Sequence, residues 1–287
     1  MRSIKPNLTP NLATQFHNNV AAHPGVIVNQ FSDLQRMVAE LSCLNKDYVL
    51  YFRGQGEDYK SPTKSAKKTA LYPTLYRENN YEQQWDDLDE ASRLLCEKCK
   101  SYPLLEKKPL LQWSILQHYG VTHTPLIDVT QSLRVACTFA QMGATGNSDY
   151  VYVYVVALPY VAHRIHVDSE EYLTVIRLLS IAPPNARRPH CQEGFLVGED
   201  VILKGKPMHK KELNLNRRLV AKFRIPAKDL EFWDTEKKAN GGDLLPTDDE
   251  MLTICKEIKE GVDAYRKEKA SDSKSKTQSK PKSKASK

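Results

Sequence analysis

The sequence predicts an α+β fold: a single mixed-sheet domain with helices before and between the strands, followed by a disordered basic tail. Two observations carry this. Apolar residues recur at helical spacing through the first half, and the second half is rich in short β-branched and aromatic runs. The clearest of those runs, Tyr150–Leu158, reads Y-V-Y-V-Y-V-V-A-L. No internal repeat divides the chain.

Residues 1–24 read as an irregular lead-in containing Pro6, Pro10 and Pro24. Ser32 and Gln35 then form a capping box, and Leu34, Met37, Val38 and Leu41 follow at helical spacing. A turn at Asn45 and Lys46 leads into a strand over 48–52. Gly54 and Gly56 release the backbone from strand geometry after it. The polar, lysine-rich stretch 54–69 is long for a loop, and such loops are usually functional or disordered. Pro73 holds Tyr72 out of the helical region. Trp85, Leu88, Ala91, Leu94 and Leu95 give 81–99 a helical period. A further helix begins near Pro109 and stops at Gly120. Residues 126–129 form a short strand, and Thr130 or Ser132 caps a helix whose apolar face carries Val135, Ala136, Phe139 and Ala140. Strands are expected over 150–158, 172–179, 194–197, 201–204 and 219–225. Met251, Ile254, Cys255, Ile258 and Val262 mark a final helix opened by residues 246–250.

Charge is unevenly placed. The formal charge is +7, but residues 267–287 hold eight lysines against Glu268 and Asp272, a surplus of six, which leaves +1 for everything before them. The tail's Lys, Ser, Ala and Pro have no apolar surface to bury, so 266–287 is expected to be disordered. It would attract nucleic acid weakly, or serve only as a solubilising end. The globular domain is then 25–265. No run of the length needed for a membrane span or a signal-peptide core occurs, which points to a cytoplasmic protein. The six cysteines read as free thiols. Cys96 and Cys99 have no second pair, and His163 and His166 lack a third ligand, so no metal site is expected.

Arg53 is the first candidate functional residue. It ends the apolar run in D-Y-V-L-Y-F-R-G-Q (47–55), and its planar fork suits a phosphate or carboxylate. A structural ion pair is the competing account. Asp128, at the end of an apolar strand, either pairs with Arg53 or positions the neighbouring groups. His118 sits at a helix end, where a hydrogen bond to a carbonyl is its ordinary use. Arg187 and Arg188 suit phosphate or form a solvated pair. Gln192 cannot act as a base. Glu193 can, although in an extended segment it faces away from Gln192. No carboxylate cluster supports a nuclease.

Four separated segments in one order resemble the FRG domain family: F-R-G-Q at 52–55, L-Y-P-T-L-Y-R ending at Arg77, L-Q-H-Y-G at 116–120, and T-P-L-I-D-V-T-Q-S at 124–132 leading into V-A-C-T-F-A. N-A-R-R-P-H-C-Q-E-G-F at 185–195 matches the family's later piece, so the resemblance spans about 25–230. Pro125 stands where the family usually has an arginine, and Val129 where it has a tryptophan. If that arginine binds ligand, this chain binds it differently or not at all.

The motif order is also similar to that of ADP-ribosyltransferase folds. That resemblance implies a nucleotide-handling enzyme with NAD as substrate and no metal, serving as a toxin or defence effector. It gives Arg53 the pyrophosphate and sets the Thr130 and Ser132 hydroxyls near a helix N-terminus. His118 and Tyr119 would line the cofactor site, with the Tyr119 ring stacking on a base or nicotinamide. Asp128, Gln192 and Glu193 would complete the catalytic set, the last two stabilising an oxocarbenium-like ribose. The alternative is a non-catalytic module that binds a ligand or partner.

Overall fold

The computed structural model describes residues 4, 7–16, 19–60, 68–77, 80–146, 148–199, 215–228, 231–234 and 238–278, excluding the side chains of 199 and 272–278. Its centre is one mixed sheet of eight strands in the order β1-β8-β4-β2-β3-β7-β6-β5. In chain order these are β1 (Val26–Ile27), β2 (Val49–Gln55), β3 (Leu126–Thr130), β4 (Tyr150–Leu158), β5 (Ile165–Asp168), β6 (Leu173–Arg177), β7 (Gly194–Glu199) and β8 (Leu219–Pro226). Only β1 and β8 run parallel; the other neighbours are antiparallel.

The strands expected over 126–129, 150–158, 194–197 and 219–225 are present, and 172–179 holds β6 and then a short 3₁₀ turn. The expected strand at 201–204 lies outside the described residues. β1 and β5 were not anticipated. They are two and four residues long and close the two edges of the sheet, where little burial shapes their sequence.

Helices α1 (Pro10–Phe16), α2 (Phe31–Leu44), α3 (Tyr81–Lys98), α4 (Pro103–Lys107), α5 (Pro109–His118), α6 (Leu133–Met142) and α7 (Arg188–Cys191) precede a long C-terminal helix, Glu250–Gln278. Two details depart from expectation at the start of the chain. Leu12 and Phe16 on α1 are buried in the main core, so the lead-in is not irregular throughout. Ser32 does not cap α2. Its hydroxyl donates to Asp234 at 2.8 Å, and the helix starts at Phe31, whose ring is buried against Phe232 and Trp233. Burying that aromatic outweighs a cap, which contributes about 1 kcal/mol.

The apolar side chains form two clusters. One joins α2, α6 and the β8-β4-β2 part of the sheet. The other lies between β3-β7-β6 and a layer made of α3, α5 and the C-terminal helix, with Trp85, Leu88, Ile115 and Ile258 at its centre. The expected disorder from 266 onward is corrected in part: the helix continues to Gln278, and 279–287 lie outside the described residues. Lys, Glu and Ala are good helix formers, and docking on α3 extends the helix further. Arg266 donates to Asp87 at 2.8 Å, and Lys269 pairs with Asp86. Among the described residues, no helix is long and apolar enough to cross a membrane.

Candidate active site

A cleft opens where β2 and β3 part. The two strands share a single pair, Phe52 with Thr130. Continuing that register would set Gly54 opposite Asp128, but no pairing forms there. The Arg53 side chain fills the gap instead, and its Nη1 donates to the Asp128 backbone carbonyl at 2.7 Å. Of the two roles expected for Asp128, pairing with Arg53 or positioning the cleft, the hydrogen bond from Arg53 goes to its main chain, and its carboxylate acts on Arg53 only through charge. The Arg53 Nε is buried and has no partner. Burial lowers the Arg53 pKa, nearby Arg77 lowers it further, and Asp128 opposes the change.

The Asp128 carboxylate is held by the end of α5. Gly120 takes φ +65°, a backbone region that suits glycine, and stops the helix just after His118. That stop places two consecutive side chains against β3. His118 Nδ1 lies 2.9 Å from Asp128 Oδ1, and the Gln117 amide donates to Asp128 Oδ2 at 3.1 Å. Thr124 donates in turn to Gln117 Oε1 at 2.8 Å, which fixes the amide's orientation. Burial pushes the Asp128 carboxyl up, but the His118 contact, the Arg53 charge and the Gln117 bond together hold it below the usual carboxylate range. His118 thus bonds a carboxylate rather than the carbonyl expected for a helix end. Its side chain is 3% exposed, and its Nε2 is buried without a partner.

The third wall is α6, which packs against β2 closely enough to require glycine. A Cβ on Gly54 would stand 1.9 Å from the Ala136 carbonyl oxygen, and one on Gly56 would stand 1.7 Å from that of Gly143. Gly54 lies within the strand, paired with Val153. Its absence of a side chain serves this contact and not an exit from strand geometry.

Arg77 and Tyr59 stand on the remaining side, with the guanidinium 5.4 Å from the ring centroid. Gln192 and Gly194 complete the wall from the start of β7. The cleft, open to solvent on one side, has a volume of about 410 Å³, within the range of small-molecule sites. Arg53, His118, Asp128, Thr130 and Gln192 all line it, and so does Val129.

An arginine and a glycine on a strand that a helix backbone crosses at contact distance are what residues 52–54 encode, and a family model matches here. The FRG domain model covers residues 49–148. This chain is an FRG domain-containing protein. The match takes in Arg53, Arg77, His118 and Asp128 and ends before β4, so the Gln192 segment lies beyond it. No curated protein and no solved structure matches the chain.

Three residues expected at the site of the FRG domain stand elsewhere. Ser132 caps α6, accepting from Val135 N at 3.5 Å, and lines a separate groove on the far side of Val135. Glu193 lines that same groove. It adopts φ +47° between α7 and β7, which turns it away from Gln192. Tyr119 points out of the cleft: its hydroxyl donates to Asp249 at 2.7 Å, and Arg188 stacks on its ring at 5.2 Å. Burial and that bond push its pKa up strongly. Arg187 pairs with Asp248. Sequence reasoning assigned no role to Arg77 or Gln117, although Arg77 ends one quoted motif and Gln117 lies within another. Their partners are set by tertiary contacts.

Proposed function

We propose that the cleft binds a phosphorylated nucleotide, with NAD the leading candidate, as the substrate of a nucleotide-handling enzyme. One observation carries this. Two guanidiniums, Arg53 and Arg77, line a cleft whose single carboxylate among the described residues, Asp128, already holds His118 and Gln117. Arg53 keeps a buried Nε without a partner and gives its Nη1 to a neutral carbonyl, so a pyrophosphate in the cleft would supply it with charge-assisted hydrogen bonds. Tyr59, 47% exposed at the rim, offers an aromatic face for a base. An enzyme that consumes NAD would suit a toxin or defence effector.

The test is calorimetric titration of the full chain with NAD and with inorganic pyrophosphate. Both should bind, more weakly as salt rises. Arg53→Ala and Arg77→Ala should each weaken binding about 10- to 100-fold, the equivalent of one hydrogen bond to a charged group. Absence of binding by either ligand would overturn the proposal.

The orientation of Glu193 favours a second reading. Without that carboxylate, the cleft has no spare anion among the described residues to stabilise a ribosyl cation. A ligand-binding module would show the same titration with no turnover, with the lysine-rich C-terminal end attracting nucleic acid.

A further inference from the structure

We infer that Asp128 and His118 form a general-base dyad, and that the bond it serves is the phosphoanhydride of the bound nucleotide rather than its glycosidic bond. This rests on the nucleotide reading above. Asp128 Oδ1 engages Nδ1 of His118, which leaves Nε2 as the ring nitrogen able to accept a proton. That nitrogen is buried, has no partner and borders the cleft: a Cβ built on Gly194, another cleft residue, would lie 3.7 Å from Nε2 and 3.1 Å from Cε1. The bare backbone at 194 is what leaves room for the ring beside it. A buried imidazole nitrogen with no internal partner costs free energy unless a ligand or water meets it.

Charge selects the bond. Glycosidic cleavage builds positive charge on the ribose, and two guanidiniums oppose that. Attack at phosphorus spreads negative charge over the phosphoryl oxygens, where Arg53 and Arg77 would stabilise it. In the step, the oxygen of a water forms the new P–O bond as His118 Nε2 takes its proton. The bridging P–O bond breaks and its electron pair stays on the departing monophosphate. The proton then passes from His118 to solvent.

The full chain is incubated with NAD in water enriched in ¹⁸O, with and without Mg²⁺, and the products are separated and weighed by mass spectrometry. NAD binding is measured in parallel. AMP and nicotinamide mononucleotide should appear, with one ¹⁸O per turnover on one of them. His118→Gln should slow the reaction about 100- to 10,000-fold with affinity changed only a few-fold. Gly194→Ala, which crowds the ring without removing it, should also lower the rate. Release of nicotinamide with ADP-ribose, or an undiminished rate in His118→Gln, would overturn the dyad's assignment. NAD binding without either product would sink the inference and leave the nucleotide site standing; no binding would sink both.

Discussion

A methyl group on residue 54 has nowhere to go. It would meet the Ala136 oxygen at 1.9 Å and the Ala140 nitrogen at 2.6 Å, both backbone atoms of α6 that no side-chain rotation can move. Gly54→Ala should therefore force α6 away from β2 and cost about 1–3 kcal/mol or more in urea unfolding, as overpacking does. Gly120→Ala is the control. Nothing lies within 4 Å of its built Cβ, so only the strain of its φ of +65° is felt, about 1–2 kcal/mol. If Gly120→Ala proved the more damaging, the close crossing of α6 over β2 would not explain the motif's glycine. The neighbouring arginine reaches the cleft from the same strand, so the glycine holds the wall that Arg53 faces.

At the level of elements, the C-terminal helix tests whether apolar packing or charge docks a helix onto α3. Ile258 is fully buried, whereas Arg266 is about half exposed beside the buried Asp87. Ile258→Ala should cost about 2–5 kcal/mol from lost burial and the cavity left behind. Arg266→Ala should cost about 1 kcal/mol, because Asp87 keeps its bond from Gln83 and solvent screens the rest. The reverse order in denaturant titrations would show charge to be the stronger link. Elements like this one, with long apolar periods, are legible in sequence: Tyr150–Leu158 and Pro109–His118 lie where local pattern put them. The edge strands β1 and β5 are not, because two to four half-exposed residues carry too little pattern. The site follows the same division. Arg53, Asp128 and Gln192 could be nominated from motif ends. That His118 meets the Asp128 carboxylate while Arg53 takes its carbonyl depends on how α5 ends and where β2 and β3 part. Glu193 leaves the cleft because of one left-handed backbone angle, which nothing in its side chain announces.

At the scale of the molecule, one buried ion pair ties the chain after β2 to the far part of the sheet. Lys222 on β8 is fully buried and donates to Asp58 Oδ2 at 2.9 Å and to Thr69 Oγ1 at 2.8 Å. Asp58 Oδ1 accepts from Thr69 at 2.6 Å and from Tyr154 at 3.0 Å, and Lys60 pairs with Asp58 as well. This knot fixes the two ends of the segment that carries Tyr59 to the rim of the cleft, so stability and ligand binding should fail together. Lys222→Met leaves Asp58 without its buried countercharge and should cost about 3–5 kcal/mol at neutral pH. Asp58→Asn combined with Lys222→Met should recover part of that loss, since neither buried charge remains. Burial pushes the Asp58 carboxyl up, but Lys60, Thr69 and Lys222 outweigh it and hold the group below its ordinary value. A carboxyl depressed in the folded state contributes stability above its unfolded pKa, about 3.9, and loses it as pH falls through the lower folded value. The wild type should accordingly lose stability below about pH 4 by a step that Asp58→Asn lacks. Equal acid sensitivity in the two proteins, or no recovery in the double variant, would mean that the knot is not what secures this end of the cleft.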